Sequence, residues 1–267
     1  MGAKLIQRAS ELIGVAAVAG NIAGYSGIHK FGQNATIDTN TDPEDIWSYG
    51  GLYTTHFMSS AATLYLSSDA AGDTGIEVEV QYLDSNWDVA AVTGTTDATD
   101  GRTFVSLEVT GIRVFRAKVT GASEPSGNIY ISDDNTDAGG DGIPDTTTHI
   151  KAYIAAGDNQ TMQAIYTIPA GYTGFLLSYR LSMVSQTSGS SAVIDIEARP
   201  FGGVFQVKER EILRVDAPID IRFCIPEMFT EKTDILLRVA SVTNNSTNVT
   251  GSFDLLLIKN TALGAAR

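Results

Sequence analysis

Oxygen ligands for a hard cation are the first chemistry this chain offers. Asp133, Asn135 and Asp137 alternate in sequence, and Asp141 follows across a glycine pair. Calcium takes about six to eight oxygens, and alternate Asp and Asn positions in a tight loop supply them. Ala138-Gly139 interrupts the spacing, and no Glu closes the loop where an EF-hand needs one. Two readings therefore stand: a calcium site on Asp133, Asn135, Asp137 and Asp141, or an acidic, glycine-rich surface turn between Ile131 and Ile150. The second is the simpler, so no cofactor is expected. Other catalytic chemistry is thinly supplied. His29, His56 and His149 show no paired spacing of the kind that holds zinc. No Gly-x-Ser-x-Gly elbow, phosphate loop or dinucleotide fingerprint occurs. Trp87, in Asp84-Ser85-Asn86-Trp87-Asp88, could stack on a sugar ring or anchor its own turn, and the turn is the plainer expectation. The chain reads as a non-enzyme.

The elements that must position these groups follow from pattern. The formal net charge is −13, with acid concentrated in loops. Phosphate binding needs clustered Lys and Arg, so direct nucleic-acid contact is not expected. The basic residues from Lys208 to Arg214 are interleaved with Glu209 and Glu211 and read as a solvated strand edge. The single cysteine, Cys224, excludes an internal disulfide. It is expected to pack as a small hydrophobe at a strand end, in a chain that folds in a reducing cytoplasm. No stretch has the run of apolar residues that a membrane span needs. The head imitates a signal peptide, but Glu11, Gly14 and the alanines weaken it.

Strands alternate apolar and polar residues, as in Ile76-Glu77-Val78-Glu79-Val80, Ile194-Asp195-Ile196-Glu197 and Ile219-Asp220-Ile221-Arg222-Phe223. The pattern predicts strands at 62–67, 75–83, 103–109, 112–119, 128–132 and 149–154. It then restarts after Ala155-Ala156-Gly157-Asp158, at 162–168, 175–184, 192–199, 204–209, 219–225, 235–242 and 251–259. A change of phase near Val114 calls for a β-bulge. The fold class is all-β: two β-sandwich, jelly-roll-like domains at 32–157 and 158–267. An extended, partly helical N-terminal arm at 1–31 precedes them. Residues 32–53 read as an ordered loop anchored by Trp47. Glycines make the arm a poor helix alone, so a neighbouring subunit should cover it.

Three stretches carry a resemblance. They are Gly20-Asn21-Ile22-Ala23-Gly24-Tyr25-Ser26 leading into His29 to Thr39, then Glu44 to Tyr53, then Asn159 to Gly171. Together they resemble a family of virion structural proteins of tailed bacteriophages, frequent in aquatic phages. The Asp133–Asp145 insert lies outside that resemblance, and its second half is similar to the calcium repeats of thrombospondin type 3 modules. The phage resemblance implies a non-enzymatic particle component made in the bacterial host cytoplasm and located in the virion. Its partners would be other virion proteins, from the capsid or from the neck and tail, and further copies of itself. A head-associated decoration or cement protein binding the capsid shell is the favoured expectation. The alternatives are a neck or tail component, or a carbohydrate- or receptor-binding β-sandwich of a tail fibre, with calcium as its cofactor if it has one. The contact residues expected in the arm are Leu5, Ile6, Leu12, Ile13, Ile22, Tyr25, Ile28 and Phe31.

Overall fold

A computed structural model describes residues 14–264. Its strands make two sandwiches, one inserted into the other. In the host sandwich, β1 (Tyr25–Ile37), β16 (Thr247–Lys259), β11 (Tyr172–Val184) and β14 (Ile219–Phe229) form one sheet in that order. The facing sheet runs β10 (Ile165–Thr167), β15 (Asp234–Val242), β12 (Ser191–Arg199), β13 (Gln206–Arg214), with β2 (Glu44–Asp45) also pairing β15. The first strand lies beside the last, and from β10 to β13 and from β14 to β16 the chain crosses between sheets at nearly every step. That winding is a jelly roll. The inserted sandwich sits between β2 and β10. One of its sheets is β6 (Val105–Gly111), β3 (Ala62–Ser68), β8 (Ile129–Ser132), β9 (Ile150–Ile154); the other is β5 (Val89–Thr95), β4 (Glu77–Leu83), β7 (Arg113–Val119).

The alternation read from sequence is what the cores use. In β4, Val78, Val80 and Tyr82 are buried, while Glu77 is exposed and Glu79 and Gln81 are half-buried. In β12, Ile194 and Ile196 enter the jelly-roll core with Leu176, Tyr179, Phe253, Leu255 and Leu237. Each such side chain contributes about 1.5–3 kcal/mol by burial. The bulge expected near Val114 is present: Arg116 pairs with Gln81 and Val114 with Tyr82, leaving Phe115 extra. That extra residue re-aims the Phe115 ring into the jelly-roll core, against Tyr166 with ring centroids 5.2 Å apart. Leu83 and Ile112 cross the same junction. A separate cluster of Trp47, Tyr53, Tyr130, Ile150, Ile165 and Leu236 is also built from both sandwiches.

The expected boundaries need correction. The division at 31/32 falls inside β1, which pairs with β16 from Tyr25 to Ile37. Residues 32–53 are not a loop leading into the first domain, because β1 and β2 both belong to the jelly roll. The unit expected over 32–157 is therefore shortened to an insert running from β3 to β9. β1 escaped notice because its buried positions are Lys30, Gly32, Asn34 and Ile37, which carry no hydrophobic period. Gly32 is there for close approach: a Cβ would stand 2.3 Å from the Ile46 carbonyl oxygen and 2.4 Å from the Ala164 nitrogen. Residues 14–18 are helical, as expected of part of the arm.

Candidate functional site

The acidic loop does not converge on a cation. Asp137 accepts the backbone N–H groups of Gly140 at 2.7 Å and Gly142 at 2.8 Å. Asp141 accepts from the Ile143 N–H at 3.0 Å, and Asp145 from the Ala138 N–H. Asp133 turns away to His149 at 2.6 Å and Lys151 at 3.1 Å. The carboxylates close the turn instead of facing a common centre. Among the described residues no three acidic, His or Cys side chains form a metal-holding group. Of the calcium set Asp133, Asn135, Asp137 and Asp141, Asp137 and Asp141 brace their own turn through backbone donors and Asp133 pairs with His149 and Lys151, so the loop reads as a self-braced turn.

Ser178, His29 and Asp254 do meet on the jelly roll, on three neighbouring strands. Their order is wrong for nucleophile activation. The Ser178 hydroxyl donates to one Asp254 oxygen at 2.6 Å, and His29 Nδ1 binds the other at 2.6 Å. A base must touch the hydroxyl it deprotonates, and here both groups spend themselves on the carboxylate. His56 is buried against the Ile150 carbonyl, and desolvation lowers its pKa to about 4. It is neutral near pH 7 and packs edge-on to Trp47 with centroids 4.8 Å apart.

The most elaborate polar construction lies where the sandwiches meet. Cations and rings alternate along it. Lys232 Nζ lies 5.7 Å from the Trp87 centroid, Arg113 is 4.8 Å from both Trp87 and Phe57, and Arg199 is 4.7 Å from both Phe57 and Phe205. Asp234 anchors the middle, receiving Arg113 and Arg199 together with the Thr167 hydroxyl. Arg238 continues the array 6.0 Å from Phe205 and pairs with Asp45 and Glu197. Stacking fixes each guanidinium plane, and the carboxylates satisfy its donors. Trp87 and Arg113 come from the insert, and Arg199, Phe205, Lys232, Asp234 and Arg238 from the jelly roll. The array thus fastens one sandwich to the other. A cleft of about 340 Å³ opens beside it, with Trp87, Phe201 and Lys232 among its walls. Because Arg113 and Lys232 already lie over Trp87, that ring anchors the junction, and a sugar would have to displace a cation to stack on it.

A second feature is an open side of the jelly roll. β13 ends one sheet and β14 ends the other; the Lys208–Glu227 ion pair at 3.6 Å links the two strands, and the Tyr179 hydroxyl on β11 donates to Glu211 of β13 at 2.8 Å. Only Leu213 is buried among the nine residues of β13, and only Phe229 among the eleven of β14. Val207, Ile212 and Ile225 face solvent, Ile225 at 86% of its full area. Opposite Leu177, β14 bulges through Phe223, Cys224, Ile225 and Pro226. That bulge exposes Cys224, which was expected to be packed.

The contact residues expected in the arm divide. Leu5, Ile6, Leu12 and Ile13 lie outside the described residues. Ile22 is half-buried. Tyr25, Ile28 and Phe31 are half-buried within β1, with Ile28 against the jelly-roll core and Phe31 stacked on His29. β1 is thus covered by its own chain from Tyr25 onward. The open side at β13 and β14 was not singled out from sequence. The run of charge from Lys208 to Arg214 was its signal.

No family model and no curated protein matches this chain. Solved structures with some likeness include the N-terminal cellulose-binding domain of Cellulomonas fimi β-1,4-glucanase C, at 10% identity, covering 68% of this chain and 88% of that one, with a TM-score of 0.23. The VP2 subviral particle of infectious bursal disease virus is 10% identical, covers 92% and 75%, and has a TM-score of 0.25. The Gx strain of that virus gives 11%, 91% and 82%, with 0.17. At such scores the fold assignment rests on the strand order described above.

Proposed function

We propose that this chain is a non-enzymatic structural component of a tailed-phage virion, made in the host cytoplasm. A head-associated decoration or cement protein is the role we favour. The observation that carries an assembly role is the open β13–β14 side. Long exposed edge strands bearing large apolar residues invite pairing, and stable proteins blunt or cover them. Here the two edge strands have nine and eleven residues, with one residue buried in each. A partner that adds a strand or a face would cover it. The junction array supports the same reading, since it turns two sandwiches into one stiff block suited to bridging neighbours on a particle. An acidic exterior keeps particles dispersed. The jelly roll is an architecture of capsid and lectin domains alike, and the phage assignment draws on the sequence resemblance.

Mass spectrometry of purified virions should detect the chain in stoichiometric amounts. Purified protein added to heads lacking it should co-sediment with them and raise the temperature at which the shell opens. A neck or tail component would be present in virions but would not bind heads. Absence from purified virions would refute the proposal. The carbohydrate-binding alternative keeps one observation, the Phe201 ring exposed beside Lys232 at 5.2 Å. A glycan array, with Phe201→Ala as the control, decides it.

A further inference from the structure

We propose that β14 pairs antiparallel with β14 of a second copy of this chain, about a two-fold axis through Ile221. This rests on the β13–β14 side being an assembly surface, and it names the occupant. A two-fold perpendicular to a sheet keeps side chains on their own face, so residues that oppose each other must lie an even number of positions apart. That leaves registers centred on a residue. Centred on Asp220, the pairing sets Asp against Asp; centred on Arg222, it sets Arg against Arg. Centred on Ile221, it sets Asp220 against Arg222 twice and Ile219 against Phe223 twice. Opposite charges facing across a ladder stabilise it, and like charges oppose it. The segment Ile219-Asp220-Ile221-Arg222-Phe223 is thus a palindrome in polarity, with opposite charges at its mirrored positions.

The side chains are free to serve it. Arg222 is exposed, and no carboxylate of its own chain pairs with it among the described residues. Asp220 has only a loose contact to Arg180, at 3.5 Å between two half-exposed side chains. Beyond the palindrome, the same register brings the Cys224-Ile225 bulge toward Pro218 and Ala217 of the other copy. That would cover Ile225, which is 86% exposed in the single chain. The neighbouring edge behaves differently. In β13, registers centred on Glu209, Arg210 or Glu211 each place like charges together, so β13 resists self-pairing. The far edge of the β14 sheet is β1, where Lys30 and Asn34 are buried and Lys30 reaches the Phe115 carbonyl of the insert. A two-fold that uses the β14 edge of both chains consumes that edge in each, which gives a closed pair of chains and not a filament.

Size-exclusion chromatography with light scattering, on the full chain across a concentration series, tests this. Wild type should reach twice 28.3 kDa. Asp220→Arg and Arg222→Asp should each stay at the single-chain mass, with melting temperatures near wild type to show that they fold. The double variant Asp220→Arg/Arg222→Asp should pair again. So should an equal mixture of the two single variants, in which two arginines of one chain meet two aspartates of the other. A wild type that stays single throughout, single variants that still pair, or a mixture that does not pair would overturn the proposal. The outcome is separable from the assembly role. A single-chain protein found in purified virions removes the two-fold and leaves the role. A paired protein absent from virions does the reverse.

Discussion

Replacing Asp234 by Asn is the sharpest stability test of the junction. The Asp234 side chain is 3% exposed and accepts from Arg113 Nε at 2.8 Å, Arg113 Nη2 at 3.1 Å, Arg199 Nε at 3.0 Å, Arg199 Nη2 at 2.5 Å and Thr167 Oγ1 at 2.6 Å. Asn keeps the shape but turns one acceptor into an NH2 group that faces guanidinium donors. It also leaves Arg113, 8% exposed, without its counter-charge. Hydrogen bonds to charged groups contribute roughly 1.5–3 kcal/mol each. Stripping one member from a buried ion pair costs about 3–5 kcal/mol. At about 2–3 °C per kcal/mol for a chain of this size, the melting temperature should fall by about 6–15 °C in differential scanning calorimetry. Replacing all three groups with apolar ones, as Asp234→Leu with Arg113→Met and Arg199→Met, should recover most of the loss, because the penalty comes from uncompensated charge. A fall below about 2 °C for Asp234→Asn would refute the assigned role of the array.

Lys30 is buried, and desolvation together with the charge on Arg116 lowers its pKa to about 7. Between there and its ordinary value of 10.5 the unfolded chain binds a proton that the folded chain does not. Stability should therefore rise with pH across that window, by up to about 1.4 kcal/mol per unit, and stay at its lower level below it. Chemical denaturation at several pH values should show this slope in wild type and lose it in Lys30→Met; equal slopes would count against the assignment. Gly32→Ala should cost at least about 2 kcal/mol, since its Cβ meets fixed backbone atoms on both sides, and an unchanged denaturation midpoint would contradict that. Excess calcium should leave the melting temperature in place, whereas Asp137→Ala should lower stability by about 1 kcal/mol through loss of its backbone donors. A saturable rise with calcium would restore the metal reading.

Strands with one wet face were legible in the sequence. In β4 the buried face is Val78, Val80 and Tyr82 and the other carries Glu77, Glu79 and Gln81, so period two appears directly in the letters. β12 keeps the same period although Asp195 and Glu197 are buried, because Arg210 and Arg238 pair with them. The bulge beside Val114 was legible for the same reason, because an extra residue must flip the phase. β1 was not, since its inward face is made of Lys30, Gly32 and Asn34, which are buried by hydrogen bonding and close approach. β5 was missed because Ala90, Ala91 and Gly94 give too little contrast between faces, and each of its residues keeps some exposure. The insertion itself lies in pairings such as β1 with β16, more than two hundred positions apart, which no local pattern records. The junction was hidden likewise. Trp87, Phe57 and Phe205 look like ordinary turn aromatics until the fold interleaves them with Arg113 and Arg199. Cys224 was misplaced because its alternation is real up to Phe223 and ends in a bulge.

If this chain works by joining others, the exposed flank formed by β13 and β14 is where another chain must sit. A cryo-electron microscopy map of the parent particle at side-chain resolution tests that directly. It should show Ile225 and the β14 backbone covered by protein from a neighbouring subunit. A map in which that flank faces solvent, while some other surface makes every contact, would rule it out as the assembly surface.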